Sequence, residues 1–305
     1  MSLDGSRLQN AGKLMRQAAI ASVSVSVLLV AIKAVAYFAS HSVAMLASLG
    51  DSALDLFTSS LNLFAIRQAL TPADAEHRFG HGKAEPLAGL AQGAFIAASA
   101  LFLVIQAAGR IAEPEPIENS VAALVVMFLS IAITILLVLY QRHVVNRTGS
   151  LAVQSDHTHY ASDLASNLGV VVAIVLAAWA GWTLADPIIA LGVAGIMLWG
   201  AWGVTHASFD QLMDHELPDA ERAKIRRIVL GHGAVRSLHD LRTREAGLST
   251  FIQVHIEMDP AMSLAQAHSI SDAVEQDLLA AYPGAEVIIH QDPEGLEQPP
   301  AALRE

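Results

Sequence analysis

The sequence predicts an α-helical membrane protein with six transmembrane helices, followed by a small C-terminal α/β domain of the ferredoxin-like, metallochaperone-like kind. Three observations carry that prediction. Apolar residues make up 53% of the 305-residue chain and charged residues 15%, where a soluble protein carries about a quarter charged. The charges are sparse up to the last long apolar run and dense after Asp214. Six apolar segments are each long enough to cross a hydrocarbon core, which takes about 20 helical residues. The two parts are expected to divide as residues 1–213 and 214–305.

In chain order the expected spans are Ala18–Ala39, Val43–Ile66, Leu87–Ala108, Val121–Tyr140, Tyr160–Trp182 and Pro187–Thr205. The polar N-terminus, MSLDGSRLQNAGKLMRQ, has no small-residue cleavage site, so no signal peptide is expected and the first apolar stretch stays as a helix. Arg7, Lys13 and Arg16 precede the first span, Arg67, Arg78 and Lys83 follow the second, and Arg142 and Arg147 follow the fourth; Arg110 stands alone on the opposite side. By the positive-inside rule both termini are cytoplasmic. Lys33 lies inside the first span, accommodated by snorkelling or by a partner on another helix. The chain has no cysteine, which excludes disulfides, thiolate metal sites and a Cys nucleophile. A net charge of −11 argues against a nucleic-acid partner.

The second span contains Asp51 and Asp55, and the fifth carries His159, at the residue before its expected start, and Asp163. Each pair is spaced four apart and projects from one helix face. One ionisable residue at bilayer depth costs roughly +2.5 to +3.5 kcal/mol on insertion scales, so four in two matched pairs imply a shared purpose. If the two helices face each other, three carboxylates and an imidazole form a four-ligand N/O set of the kind zinc takes. Two positive charges nearly balance three carboxylates. Without the metal, the same groups in a low dielectric would gather protons, which the next cation must displace because ligands coordinate when deprotonated. Metal–proton exchange follows as the expected mechanism, with His159 the member expected to change protonation near neutral pH.

In the loop after the second span, Asp74, His77 and His81 offer three N/O donors that can converge if the chain turns at Gly80. The soluble part reads helix (Asp219–Gly231), strand, strand (Phe251–Met258), helix (Leu264–Tyr282), strand (Glu286–Asp292), with Pro218 ending the extension of the last membrane helix. In Phe251–Met258, Ile252, Val254, Ile256 and Met258 share one face, while Gln253, His255 and Glu257 share the other. Ile288, His290 and Asp292 share one side of the last strand. His239, His255, His268, His290 and Asp292 are the metal-binding candidates on polar surfaces; the remaining histidines match no motif.

At this point the chain resembles the cation diffusion facilitator family, in particular its bacterial zinc-efflux branch. The motifs are GDSALD on the second span, HRFGHGKAE after it, HYASD on the fifth, and LHDLRTR, FIQVHIEM, QAHSISDAVE and VIIHQDP beyond the membrane part. The resemblance implies a homodimer in the bacterial inner (cell) membrane that exports a divalent cation by alternating access, driven by proton entry. It implies Asp51, Asp55, His159 and Asp163 as transport ligands, in a combination similar to members that accept zinc and cadmium. It also implies a second zinc site at Asp74, His77 and His81, and a charge pair between Lys83 and Asp214. In the soluble domain it implies a two-zinc site of His239, His255, His268, His290 and Asp292, with Gln291, near the dimer interface. Zinc would then be both cargo and regulator, drawing the soluble domains together. The partners expected are divalent cations, protons, lipid and a second copy of the chain.

Other readings make different demands. Ferrous iron, manganese or cobalt would suit oxygen ligands, but the imidazoles favour zinc. An intramembrane aspartyl protease also uses paired aspartates, yet Gly50-Asp51 lacks the flanking glycine of a GxGD motif, and His159 would have no role. A metal receptor would keep every site and show no flux.

Overall fold

The computed structural model describes residues 3–41, 43–112, 121–180 and 184–295. The membrane part is built from α1 (Leu3–Ser40), α2 (Val43–Ala69), α3 (Ala84–Ala112), α4 (Val121–Thr148), α5 (Leu151–Ala180) and α6 (Ala185–Leu212). The remaining elements are α7 (Asp219–Leu230), β1 (Ser237–Ala246), β2 (Ser249–Met258), α8 (Leu264–Ala281) and β3 (Glu286–Pro293). Ala11–Phe209 makes one compact unit; Asp210 onward, with the first turns of α1, makes the other.

The helices outrun the expected spans at their polar ends. Helix α1 begins well before Ala18, α4 runs past Tyr140, and α5 starts at Leu151 rather than Tyr160. No proline interrupts these flanks, and a helix satisfies its own backbone in water and lipid alike. The expected end of the fifth span, Trp182, lies outside the described residues. Four of the described helices, α1, α3, α4 and α6, are apolar enough to span by composition alone. The other two, α2 and α5, carry the acidic and imidazole groups.

Large apolar side chains point outward, with Trp199 81% and Phe38 70% exposed, as a lipid-facing surface requires. The interior is lined by small and polar groups, including Ser22, Ser26, Ser59, Asn62 and Gln141, all buried. Helices α3 and α6 pack through Ile96, Ala100, Val193, Ala194, Met197 and Ala201. They approach closely at Gly93, where a Cβ would run into Thr205 Oγ1. Between α4 and α5, Gly149 takes φ +65° and Ser150 Oγ accepts from the Val153 N–H at 3.3 Å. Ser150 Oγ donates in turn to the buried Glu85 Oε2 at 2.6 Å, so the start of α3 fixes the start of α5.

The second unit has a three-stranded sheet of order β1-β2-β3, with β1 and β2 antiparallel and β2 and β3 parallel across α8. Ile252, Val254, Ile256 and Met258 are all buried and join Ile225, Val229, Val274 and Leu278 in one core. Pro218 does not end the last membrane helix. That helix stops at Leu212, where the His215 N–H reaches back to Asp210 O at 2.9 Å and Asp214 takes φ +56°. Pro218 instead sits at the N-cap of α7, where its missing N–H is no loss.

Candidate metal centres

In the membrane unit, α2 and α5 face each other and bring Asp55, His159 and Asp163 together, with one ligand atom from each lying within 4.8 Å of the others. Both carboxylates approach the same ring nitrogen: His159 Nε2 is 3.1 Å from Asp55 Oδ1 and 3.5 Å from Asp163 Oδ2. The ring is 3% exposed and lies edge-on to Phe95 of α3 and to Tyr160, which fixes its plane. Asp51, one turn away on α2, lies outside this group and is exposed. Lys33 of α1 finds its partner between helices. Its Nζ donates to Ser52 Oγ at 2.7 Å and to Ser48 O at 3.2 Å, on the turn of α2 that carries Asp51.

The loop before α3 gathers Asp74, His77 and His81 by the same distance measure. Asp74 Oδ1 accepts from the backbone N–H of His77 at 2.7 Å and of Glu76 at 2.9 Å, the former chiefly holding its carboxyl below the usual range. Gly80 takes φ +76° and folds His81 back, so that the two rings lie 4.5 Å apart. Asp74 is 3.5 Å from each ring, through Oδ1 to His77 Nδ1 and Oδ2 to His81 Nε2. Lys83, in the turn before α3, and Asp214 belong to different units. Within its own unit, Asp214 Oδ1 accepts from Arg244 Nη1 at 3.2 Å.

On the sheet, strand register aligns three histidines in one row: His239 pairs with His255 and His255 with His290. Their rings lie 5.1 Å and 4.4 Å apart. Asp292, 3% exposed, occupies the centre. Its Oδ2 is 2.9 Å from His255 Nδ1 and 3.4 Å from His239 Nε2, and its Oδ1 is 3.1 Å from His290 Nε2. Two residues that the sequence reading did not nominate join the rim. Glu257 Oε1 lies 3.6 Å from His239 Nδ1, and Asp240 Oδ2 lies 3.7 Å from His255 Nε2. Glu257 was visible as the i+2 neighbour of His255. Asp240 was not, because it reaches the site through a β-bulge with φ +46°. Its salt bridge to Arg242 holds its carboxyl below the ordinary range. His268 stands elsewhere, on α8, 3.6 Å from Asp272. Gln291 alternates with His290 and Asp292 and so shares the face of Val287 and Ile289.

Three clusters of imidazole and carboxylate, one of them between helices α2 and α5, suit a protein that handles divalent cations. Comparison with known proteins decides the matter. Residues 19–213 match the cation efflux transmembrane domain, and residues 217–294 match the cation efflux protein cytoplasmic domain. The chain belongs to the cation efflux family. It is an integral membrane transporter with a cytoplasmic C-terminal domain, not an enzyme. The metal cation is its cargo.

The cation-efflux pump FieF of Klebsiella pneumoniae is 44% identical over 285 residues, which cover 93% of this chain and 95% of the relative. The FieF of Pectobacterium carotovorum is 44% identical over 281 residues, covering 92% and 93%. Among solved structures, a putative zinc transporter CzrB in its zinc form is 33% identical, covering 28% of this chain and 99% of that one, with a TM-score of 0.27. The metal-bound C-terminal domain of a CzcD transporter from Thermotoga maritima is 25% identical, covering 27% and 100%, with a TM-score of 0.24.

Proposed function

We propose that this cation efflux protein exports zinc, with cadmium or ferrous iron as further cargoes, in exchange for protons, as a homodimer that alternates access. The transport ligands in this reading are Asp55, His159 and Asp163, joined by Asp51 when the cation is bound. The observation that carries it is the convergence of two carboxylates on one imidazole nitrogen between two helices of the membrane unit. A ring nitrogen holds either a proton or a metal. When His159 Nε2 carries a proton it donates to Asp55 Oδ1, and when it carries a cation the same oxygen is a ligand. One atom set therefore serves both ions in turn, as exchange requires.

The other two clusters serve the cytoplasmic side in this reading. Asp74, His77 and His81 take up a cation on the loop, and His239, His255, His290 and Asp292 bind regulatory zinc. His268 completes that regulatory site when the soluble domains of two protomers come together.

Zinc flux into proteoliposomes under an imposed pH gradient tests the reading. Wild type should accumulate zinc only with the gradient and move protons the opposite way, and Asp163→Ala should abolish both movements. Zinc uptake with no proton movement would remove the exchange mechanism. Unchanged flux in Asp163→Ala would remove the site.

A further inference from the structure

Two buried carboxylates in the membrane unit, Glu85 and Asp156, have no part in the three clusters, and Glu85 is taken up by Ser150. Asp156 lies on α5, one turn closer than His159 to the cytoplasmic turn at Gly149 and Ser150, and is 1% exposed. Gln141 of α4, fully buried, donates through Nε2 to Asp156 Oδ2 at 2.8 Å and to Ser22 Oγ of α1 at 3.0 Å. Both protons of the amide are thereby used. What remains is a matched pair of vacancies: Asp156 Oδ1 and Gln141 Oε1 are both buried and both lack a hydrogen-bond partner. Each is an acceptor, and a buried acceptor without a donor is costly.

Where the donated N–H is the one syn to the amide oxygen, a carboxyl and an amide joined through one N–H···O bond bring their other two oxygens side by side. One proton on the carboxyl then satisfies both, with Oδ1–H donating to Oε1 and closing a two-bond acid–amide ring. We infer that Asp156 and Gln141 form a proton-binding site of their own, distinct from the cation ligands. This inference rests on the exchange reading above, and assigns one of the exchanged protons to an atom. The step is a proton transfer alone: the O–H bond on Oδ1 forms as a proton arrives from the outer side and breaks as that proton leaves to the cytoplasm. The charged and titratable groups acting on Asp156 are His159 and Tyr160 on its own helix and Asp55 on α2, while α1 and α4 present Ser22 and Gln141. Tyr160 is itself committed, its hydroxyl bonded to Ser26 Oγ at 2.6 Å and Ser59 Oγ at 2.8 Å. In this inference a cation entering at Asp55 and His159, one turn along α5, favours the charged form of Asp156 and so the release of its proton.

The replacement Asp156→Asn mimics the protonated state, since its Nδ2–H can donate to Gln141 Oε1 in the same ring. With the full-length protein in proteoliposomes, this variant should still bind and move zinc, but the proton-to-zinc ratio should fall by about one proton per cation. Infrared difference spectra should show a deuterium-sensitive protonated-carboxyl band in the wild type that Asp156→Asn lacks and Gln141→Leu moves to higher frequency. That second variant keeps the test decisive if Asp156→Asn does not fold. A band unaffected by either change, or a ratio unaltered in Asp156→Asn, overturns the inference; a buried water bridging the two oxygens would give that result. If the wild type itself moves no protons, the exchange reading fails first, and the two failures are told apart.

Discussion

At the scale of single residues, the account turns on which side chains can share one ion. The pairs Asp51/Asp55 and His159/Asp163 were legible in the sequence because a spacing of four fixes a common helix face. How far each side chain reaches was not. The structure joins Asp55, His159 and Asp163 and leaves Asp51 exposed beside the turn that Lys33 holds, an outcome set by how α1, α2 and α5 pack. Asp156 escaped notice for a related reason: the fifth span was expected to begin at Tyr160, which placed this carboxylate outside the bundle, whereas α5 begins at Leu151 and buries it. Asp51 is then the position where cargo choice is open to change. Replacing it, Asp51→His, trades an oxygen ligand for an imidazole, and the ratio of cadmium to zinc flux should fall about tenfold, the effect of ~1.4 kcal/mol in ligand preference. Competition flux assays measure that ratio, and an unchanged value would exclude Asp51 from the bound state.

At the scale of elements, short-range chemistry decides how well each site is held. Helix α8 starts with a capping box in which Ser263 Oγ accepts from the Gln266 N–H at 3.3 Å and Gln266 Oε1 accepts from the Ser263 N–H at 3.0 Å. Ser263→Ala should lower unfolding free energy by about 1 kcal/mol in urea melts of the second unit's signal. Gly80, at φ +76°, carries the turn that returns His81 to Asp74, so Gly80→Val should weaken zinc binding at the loop while leaving the membrane helices intact. Calorimetric titration of the full chain with the sheet site removed would report it.

The loop also has a pH signature. Because hydrogen bonds, that from the His77 N–H foremost, hold the Asp74 carboxyl below its ordinary value of 3.8, its contribution is complete above that value. The contribution is lost only as pH falls through the depressed one, so the side-chain carboxyl carbon resonance of Asp74 should titrate with its midpoint below 3.8. On the sheet, the alternation of Ile252, Val254, Ile256 and Met258 with Gln253, His255 and Glu257 was readable from the period of two. The bulge that brings in Asp240 was not, since an extra residue in β1 leaves no mark in that pattern.

At the scale of the whole molecule, composition and charge placement were enough to predict helices in a membrane and a soluble α/β part. The order of α7, β1, β2, α8 and β3 followed from periodicity and turn residues. The lengths of the membrane helices did not, because hydropathy marks where lipid begins and not where a helix ends. Orientation is directly testable, since the chain has no cysteine to interfere. A single cysteine at Glu76 should react with a membrane-impermeant maleimide only from the cytoplasmic side, and one at Leu184 only from the outer side. Reversed labelling would contradict the positive-inside assignment.

The central claim is that one cation sits between α2 and α5, bound by one imidazole and by carboxylate oxygens. Zinc-edge X-ray absorption on the full chain, with the other two clusters removed by His77→Ala, His81→Ala, His239→Ala and His255→Ala, tests it most directly. The predicted spectrum shows a single imidazole shell with the remaining ligands oxygen, and further replacement by His159→Ala removes the imidazole. Zinc bound with no imidazole, or with the same spectrum after His159→Ala, would contradict it.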